Sequence, residues 1–358
     1  MEKFVVADYV DKFSCKCGKC RSCCCEGWPV TISYSEYCNL IGMDCSSELR
    51  KKIDCAFSIV PKPTMDYYAR ISKNYFGDCP LRSTDGFCML QQELGAEKLP
   101  EICKMYPRNY KYGILMEGAC ANSCERVLEL LFESENKLNF YETDLVVSGV
   151  KYIKPEISEF CKNVQKNTID ILQDRSIPLN KRIERVGEYL KQYDKGDVPM
   201  VKTKTLFRLL FALEKFSPNF AKFSQEARNN YNIVDINYSQ EEFLAKYRKF
   251  QSHFESELPS WEVYLEKLLI NHLFFIRFPY TINGEKLWDE YIAFLGIYHL
   301  TKLVCIGYFA DKTKLEDFID VVAGIYRCFE HSEIDYVIDD ILNCSLKSDR
   351  EELEFCCK

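Results

Sequence analysis

Cysteine is the residue type with the most evident chemistry in this 358-residue chain. Fourteen of the twenty cysteines lie in the first 125 residues, and six of them fall between Cys15 and Cys25. Thiolate sulfur is the soft ligand that zinc ions and iron–sulfur centres prefer. We therefore expect several of these side chains to converge on one buried metal ion or cluster.

The redox compartment decides between metal binding and disulfide bonds. The first residues show no basic stretch followed by an apolar segment and a small-residue cleavage site, so no secretory signal is predicted. In the cytoplasm thiols stay reduced, and such cysteine patterns there indicate metal binding or catalysis more often than disulfides. The apolar segments 264–280 and 291–310 contain charged residues and histidine, so neither is predicted to span a membrane. We expect a soluble, cytoplasmic protein.

Charge and length limit the partners and the domain organisation. A net charge of −7 argues against nucleic-acid binding, which needs a clustered basic surface, and a protein partner fits better. The length suggests two domains. We predict an α+β fold in which a small, irregular cysteine-rich domain (1–135) precedes a mostly α-helical domain (136–358). The oligomeric state stays open.

Capping signals and apolar periodicity predict the elements that position the cysteines. Segments 67–72 and 110–117 are rich in β-formers and are expected to pair in a small sheet. Between them, two turn signals each carry a cysteine, Cys79 and Cys88. The predicted helices or helical turns are 33–43, 46–60, 89–94, 100–105, 122–132, 154–174, 179–193, 203–215, 240–256, 260–275, 285–308, 314–330 and 334–343.

Familiar metal motifs do not account for the cysteine spacing. Cys17, Cys20 and Cys23 have the spacing of the first three ligands of a bacterial ferredoxin, but the fourth cysteine followed by proline is absent. A zinc ribbon needs a second Cys-x2-Cys pair, and nothing downstream supplies it. Structural zinc and an iron–sulfur cluster therefore both stay open.

The cysteines do, however, stand in an ordered series of short motifs. The series is Cys17-x2-Cys20-x2-Cys23-Cys24, Cys25-Glu26-Gly27-Trp28, Cys79-Pro80-Leu81, Asp85-Gly86-x-Cys88, Leu99-Pro100-x2-Cys103-x2-Tyr106-Pro107-Arg108 and Ser123-Cys124-Glu125. It resembles the flagellin lysine N-methylase family, part of a wider group of zinc- or iron-chelating proteins with a Cys-x2-Cys-x2-Cys-Cys motif. Weaker similarities at 175–182 and 327–331 extend the resemblance into the helical half.

The resemblance implies a function and a set of metal ligands. It implies a protein lysine N-methyltransferase that uses S-adenosylmethionine, acts on exposed lysines of flagellin and carries a [4Fe–4S] cluster, with zinc as the alternative metal. The run of six cysteines allows two ligand registers, Cys17, Cys20, Cys23 and Cys24 or Cys15, Cys20, Cys24 and Cys25. We favour the second register, which leaves Cys17 and Cys23 spare. The other implied ligands are Cys79, Cys88, Cys103 and Cys124.

One departure from the family pattern concerns the residue after Cys124. The pattern has proline at this position, and the chain has Glu125. Proline is favoured in the first turn of a helix but is not required there. We expect the difference to change only how the following helix begins.

The methyl donor needs a site other than the usual one. No Gly-x-Gly-x2-Gly follows a strand and opens a helix, so the common doubly wound methyltransferase domain is not predicted. Trp28, Tyr106 and Tyr75 are candidates to hold the sulfonium by cation–π attraction. Arg108 suits bidentate pairing with the donor carboxylate, or alternatively neutralises a thiolate cluster.

Methyl transfer to lysine also needs a neutral amine, and hence a base. Asp85 and Glu26 are the candidate bases, with Glu117 a third acid close to a cysteine motif. The alternative is a turn residue at Asp85 and solvated surface at the glutamates. A non-catalytic zinc- or iron-binding module and a redox module are the alternatives to the methyltransferase function.

Overall fold

The computed structural model describes residues 2–26, 30–75, 77–111, 116–145, 158–194, 201–279 and 287–331. The predicted α+β class is confirmed: a cysteine-rich region precedes a mostly helical one. By contacts the chain divides into two compact units. The cysteine-rich unit is Ser14–Arg108 with Cys124–Arg126, and the helical unit is Met1–Phe13, Asn109–Ser123 and Val127–Lys358. The predicted division at residue 135 remains a prediction.

Strands and helices have the following bounds in the described residues. The strands are β1 (Glu2–Ala7), β2 (Thr31–Ile32), β3 (Phe57–Ile59), β4 (Ala69–Ile71), β5 (Arg108–Lys111), β6 (Glu117–Cys120) and β7 (Phe140–Leu145). The helices are α1 (Tyr34–Ile41), α2 (Ser47–Ala56), α3 (Met89–Leu94), α4 (Glu101–Met105), α5 (Glu125–Phe132), α6 (Glu159–Leu172), α7 (Leu179–Leu190), α8 (Thr203–Glu214), α9 (Pro218–Tyr231), α10 (Gln240–Glu257), α11 (Trp261–Ile276), α12 (Leu287–Tyr308) and α13 (Leu315–His331).

In the cysteine-rich unit a small antiparallel sheet of order β2-β4-β3 packs with α1 and α2. Ser33 caps α1 in a capping box with Glu36, and Ser46 caps α2. The prediction that 67–72 pairs with 110–117 is wrong, because β2 and β3 occupy both edges of β4. Helix α2 ends at Ala56 rather than residue 60 because β3 follows it directly.

In the helical unit a four-stranded sheet of order β5-β6-β1-β7 joins segments distant in sequence. Strand β1 pairs in parallel with β6 and antiparallel with β7. Neither β1 nor β7 was predicted. Helix α9 was also missed, although Ser217 caps it and Pro218 occupies its first turn. The predicted helix 334–343 lies outside the described residues.

Helix α12 is the central apolar helix of the helical unit. It is long and apolar enough to cross a membrane by length and composition, but 89% of its most apolar 18-residue window is buried in the fold. That degree of burial is typical of a core helix.

A buried ion-pair network ties α6, α7 and α11 together. The fully buried Glu266 carboxylate accepts from Arg182 Nη1 at 2.6 Å, and from Arg175 Nε and Nη2 at 2.8 Å each. Arg182 is itself only 2% exposed and also donates to the carbonyl of Leu172. Each buried charge is therefore matched by an opposite charge and by hydrogen bonds, as burial of ions requires.

A second buried polar group fixes the segment 120–123 of the helical unit. The Glu330 carboxylate accepts the backbone N–H groups of Asn122 and Ser123 at 3.1 Å each. Ser123 Oγ lies 2.7 Å from His331 Nε2, and Asn271 Nδ2 donates to the carbonyl of Cys120 at 2.8 Å. Residues 330 and 331, weak motif positions in the sequence, thus hold the segment that directly precedes Cys124.

Candidate metal centre

The cysteines of the described residues are seventeen free thiols, and three consecutive ones form a compact group. The sulfur atoms of Cys23, Cys24 and Cys25 lie within 4.8 Å of one another. The backbone N–H of Cys79 and the Lys73 ammonium donate to the Cys25 carbonyl at 2.9 and 2.8 Å. These bonds fix the triad next to the turn that carries Cys79.

Three further thiols of the same unit lie near the triad or near one another. Cys79 is buried, Cys88 directly precedes α3, and Cys103 lies in α4. All three pack in or against the hydrophobic core of the cysteine-rich unit, which includes Ile53, Ile71 and Leu81. We name the six residues Cys23, Cys24, Cys25, Cys79, Cys88 and Cys103 the Cys23 set.

The thiols of the Cys23 set shift one another's pKa values through electrostatic interactions and hydrogen bonds. S–H donation by Cys24 and then by Cys25 lowers the pKa of Cys23. Burial, together with the neighbouring Cys79 and Cys88 thiols, raises the pKa of Cys103 to about 12. Burial likewise raises the pKa of Cys88, with the Cys23 charge adding to the effect. Burial and crowding disfavour the thiolate forms of these side chains, and a bound metal ion would supply the positive charge that stabilises them.

A second set of thiols lies at the start of the unit and at Cys124. We name Cys15, Cys17, Cys20 and Cys124 the Cys20 set. Cys15 and Cys17 are exposed, and Cys20 and Cys124 are partly buried. The favoured ligand register divides between the two sets, because Cys15 and Cys20 belong to one and Cys24 and Cys25 to the other. The structure also brings Cys23, which that register leaves spare, into the triad. The register itself remains a prediction.

The two predicted bases lie in different surroundings. Glu26 Oε1 accepts from Arg82 Nη1 at 2.5 Å, and Glu26 forms an isolated β-bridge with Asp78. Asp85 is exposed in a turn, where the Ser83 hydroxyl donates to it and lowers its pKa. A lower pKa makes Asp85 a weaker base. The catalytic role of both residues remains a prediction.

The other predicted site residues lie in different structural elements. Tyr106 caps α4 at its C-terminal end and packs against the core of the cysteine-rich unit. The Arg108 guanidinium lies near Cys15, where it opposes the rise in the pKa of that thiol that burial causes. Trp28 lies outside the described residues. Glu117 is buried in β6 and accepts from Gln165 Nε2 at 3.0 Å, which is a structural contact in the helical unit.

The donor chemistry of the Cys23 set fits either candidate metal. Four thiolates bound at about 2.3 Å to a tetrahedral zinc lie about 3.8 Å apart, close to the spacing of the triad. A [4Fe–4S] cluster also takes four cysteine thiolates, and six are present. Lys73 and Arg82, both beside the set, offset the negative charge that either metal–thiolate group carries.

Comparison with known protein families gives a match in the helical region. Residues 198–357 match the C-terminal domain of the FliB lysine N-methylase family. The resemblance to the flagellin lysine N-methylase family is confirmed. The matched region contains helices α8 to α13, so the similarity includes the buried helix α12.

Individual relatives show the same similarity at low identity. The lysine-N-methylase of Salmonella typhimurium is 23% identical over 150 residues, which cover 38% of this chain and 34% of that protein. The lysine-N-methylase of Salmonella choleraesuis matches to the same extent. The flagellar biosynthetic protein FliU of Salmonella muenchen is 25% identical over 121 residues, or 33% of this chain and 70% of that protein. The chain thus covers about one third of the length of the two methylases, and no solved structure matches it.

Two features of the site escaped sequence reasoning. Lys73 was not singled out, although it follows β4 and its ammonium reaches the Cys25 carbonyl. Glu125 was noted only as a departure from the family pattern, yet its carboxylate is completely buried. For Glu125 the available signal was an acidic residue directly after a cysteine. For Lys73 it was a basic residue close to other cysteines.

Proposed function

We propose that the chain is a protein lysine N-methyltransferase that acts on flagellin, uses S-adenosylmethionine as donor and carries a cysteine-ligated [4Fe–4S] cluster. The observation that carries this proposal is the match of residues 198–357 to the C-terminal domain of the FliB lysine N-methylases. The relative FliU, a flagellar biosynthetic protein, supports flagellin as the substrate class.

The Cys23 set is the proposed site of the cluster. Its thiols supply more than the four ligands that a [4Fe–4S] cluster takes. A bound cluster would supply Lewis-acid iron for the amino and carboxylate groups of the donor. The Lys73 ammonium and the Arg82 guanidinium offset the charge of the thiolates, and the contacts of Cys25 with Lys73 and Cys79 keep the triad in place.

The chain must also handle the lysine proton. The S–CH₃ bond of the sulfonium breaks while the amine lone pair forms the new N–CH₃ bond, and the sulfur keeps the bonding electrons. The amine must be neutral, although its ordinary pKa is about 10.4. We favour Glu26 as the base that accepts the proton, because Glu26 directly follows Cys25 whereas Asp85 has a lowered pKa.

Methyl transfer to flagellin tests this proposal. Anaerobically purified, metal-loaded protein is incubated with methyl-labelled S-adenosylmethionine and flagellin, and modified lysines are identified by mass spectrometry. We expect methyl-lysine with the unaltered chain and with Cys55→Ser, which changes an exposed thiol on α2. The double variant C79S/C103S should leave flagellin unmodified. Absence of methyl-lysine with fully loaded, unaltered protein would refute the proposal.

A non-catalytic zinc- or iron-binding module is the second candidate. The compact triad favours it, because sulfur atoms within 4.8 Å of one another are close to the spacing around a single zinc ion. This module would be colourless with zinc and would not bind the donor. A brown protein with broad visible absorption and donor binding would exclude it.

A further inference from the structure

Arg327 on α13 is a buried arginine with two unpaired hydrogen-bond donors. The residue is only 4% exposed. Its Nε and Nη2 atoms are both buried, and neither has a hydrogen-bond partner in the part of the chain that the structure describes. A guanidinium keeps its charge in proteins, and burial of a charge without a partner is strongly unfavourable. We therefore expect an anion to bind beside this side chain.

The buried Arg182 on α7 shows how the same helical unit pairs such a charge. Arg182 is 2% exposed, and its Nη1 donates to the Glu266 carboxylate and to the carbonyl of Leu172, each at 2.6 Å. Among the described residues, nothing comparable binds Nε or Nη2 of Arg327. The two arginines are equally deep in the fold, but only the first has its charge matched.

The acidic residue that follows Arg327 on the same helix, Glu330, already has other partners. Its carboxylate accepts the backbone N–H groups of Asn122 and Ser123 at 3.1 Å each. His272 Nδ1 lies 3.6 Å from the same carboxylate. Glu330 therefore stabilises the backbone at 122–123 and leaves the Nε and Nη2 donors of Arg327 unused.

A second side chain with unpaired polar atoms lies beside α13. His272 on α11 is 1% exposed, and neither of its ring nitrogens has a hydrogen-bond partner within the described ranges. The centroid of its ring lies 5.5 Å from that of Tyr326, the residue that precedes Arg327. Buried polar atoms in native proteins are normally paired with protein or bound molecules, so unpaired ones in one region indicate a bound polar molecule.

The two unpaired donors of Arg327 indicate the chemistry of the ligand. Nε–H and Nη2–H form one edge of the planar guanidinium, which matches the two oxygens of a carboxylate. Arg175 uses the same edge to bind the Glu266 carboxylate, with both distances 2.8 Å. A carboxylate also has the single negative charge that balances one guanidinium. A phosphate dianion would leave excess negative charge buried near Glu330.

We propose that Arg327 binds the carboxylate of a small molecule inside the helical unit through Nε and Nη2. Two sources supply this chemistry, the amino-acid part of S-adenosylmethionine and a free carboxylic acid such as acetate. The first source rests on the proposed function and places the donor carboxylate at Arg327 rather than on iron. The second source is independent of methyl transfer and of the metal centre.

Calorimetric titration of the full chain tests the proposal, after dialysis into a chloride buffer without carboxylates. The probes are sodium acetate, S-adenosylmethionine and decarboxylated S-adenosylmethionine, all at the same ionic strength. We expect acetate or S-adenosylmethionine to bind the unaltered chain, and to bind Arg327→Met at least about tenfold more weakly. Arg327→Lys keeps the charge but loses the planar fork, so we expect it to bind that probe more weakly as well.

The three probes distinguish the two sources. Weaker binding of acetate to Arg327→Met identifies a site for a free carboxylic acid. Weaker binding of S-adenosylmethionine, together with unchanged binding of its decarboxylated analogue, identifies the donor. Failure of acetate and S-adenosylmethionine to bind the unaltered chain, or equal affinity of each for the unaltered chain, Arg327→Met and Arg327→Lys, would overturn the proposal. Such a result would leave methyl transfer itself to be judged by its own assay.

Thermal unfolding without added carboxylate provides a matched control with the other buried arginine. Arg327→Met should have a higher Tm than the unaltered chain, because it removes a buried charge that has no partner. Arg182→Met should have a lower Tm, because it leaves the buried Glu266 carboxylate without its closest partner. A lower Tm for Arg327→Met as well would show that a group of the protein already pairs with Arg327, and would overturn the proposal.

Discussion

Replacing Cys103 by serine is expected to remove the metal from the Cys23 set and to destabilise the cysteine-rich unit. Cys103 packs against the hydrophobic core and lies near Cys79 and Cys88, so it couples the metal ligands to the fold. Binding of a structural metal contributes directly to folding, by about 10–16 kcal/mol for zinc-finger peptides. The decrease in the free energy of unfolding of Cys103→Ser should therefore far exceed the roughly 0.5 kcal/mol of an ordinary surface substitution.

Metal analysis and thermal unfolding with and without a chelator measure this effect. The chelator should lower the Tm of the unaltered protein and of Cys55→Ser, whose thiol is exposed on α2. It should lower the Tm of Cys103→Ser by less, because that variant has already lost the metal of the Cys23 set. If Cys103→Ser binds as much metal as the unaltered chain, Cys103 is not a ligand and acts only in packing.

Replacing Glu266 by glutamine should destabilise the helical unit by about 3–5 kcal/mol. The substitution removes the charge that Arg175 and Arg182 share and leaves the 2%-exposed Arg182 guanidinium without its closest ion-pair partner. Urea unfolding followed by circular dichroism measures the change, since most of the signal comes from the helices.

The matched control for this prediction is Glu184→Gln. Glu184 pairs with Lys181 on the solvent-exposed side of α7 at 2.8 Å, and exposed pairs contribute about 0–1 kcal/mol. A loss of similar size in the two variants would contradict the assignment of Glu266 as the centre of the network.

Local sequence signals predicted most of the helices, whereas pairing between distant segments limited the prediction of the strands. Helix α3 was predicted with its observed bounds, and α10 and α13 within one residue at each end, because apolar periodicity is a property of the segment itself. Strand β1 pairs with β6, more than 100 residues away, and no local pattern specifies such a partner. The prediction that β4 pairs with 110–117 failed for the same reason.

The candidate site was predicted as a list of thiols but not as an arrangement. The motifs identified the cysteines, since residue type and spacing can be read directly from the sequence. Their division into two sets depends on Glu125, which joins Cys124 to a segment about 100 residues earlier. The contact of Lys73 with the Cys25 carbonyl likewise depends on the fold of the turn after β4.

Thiol protection combined with metal analysis tests most directly whether the thiols of the Cys23 set bind a metal. The anaerobically purified chain is labelled with a thiol-reactive reagent before and after metal removal, and the labelled cysteines are identified by mass spectrometry. We expect stoichiometric iron or zinc, with protection of at least four thiols of the Cys23 set that disappears when the metal is removed. A folded, metal-free protein in which Cys23, Cys24 and Cys25 react freely, or are joined as cystines, would contradict the metal centre.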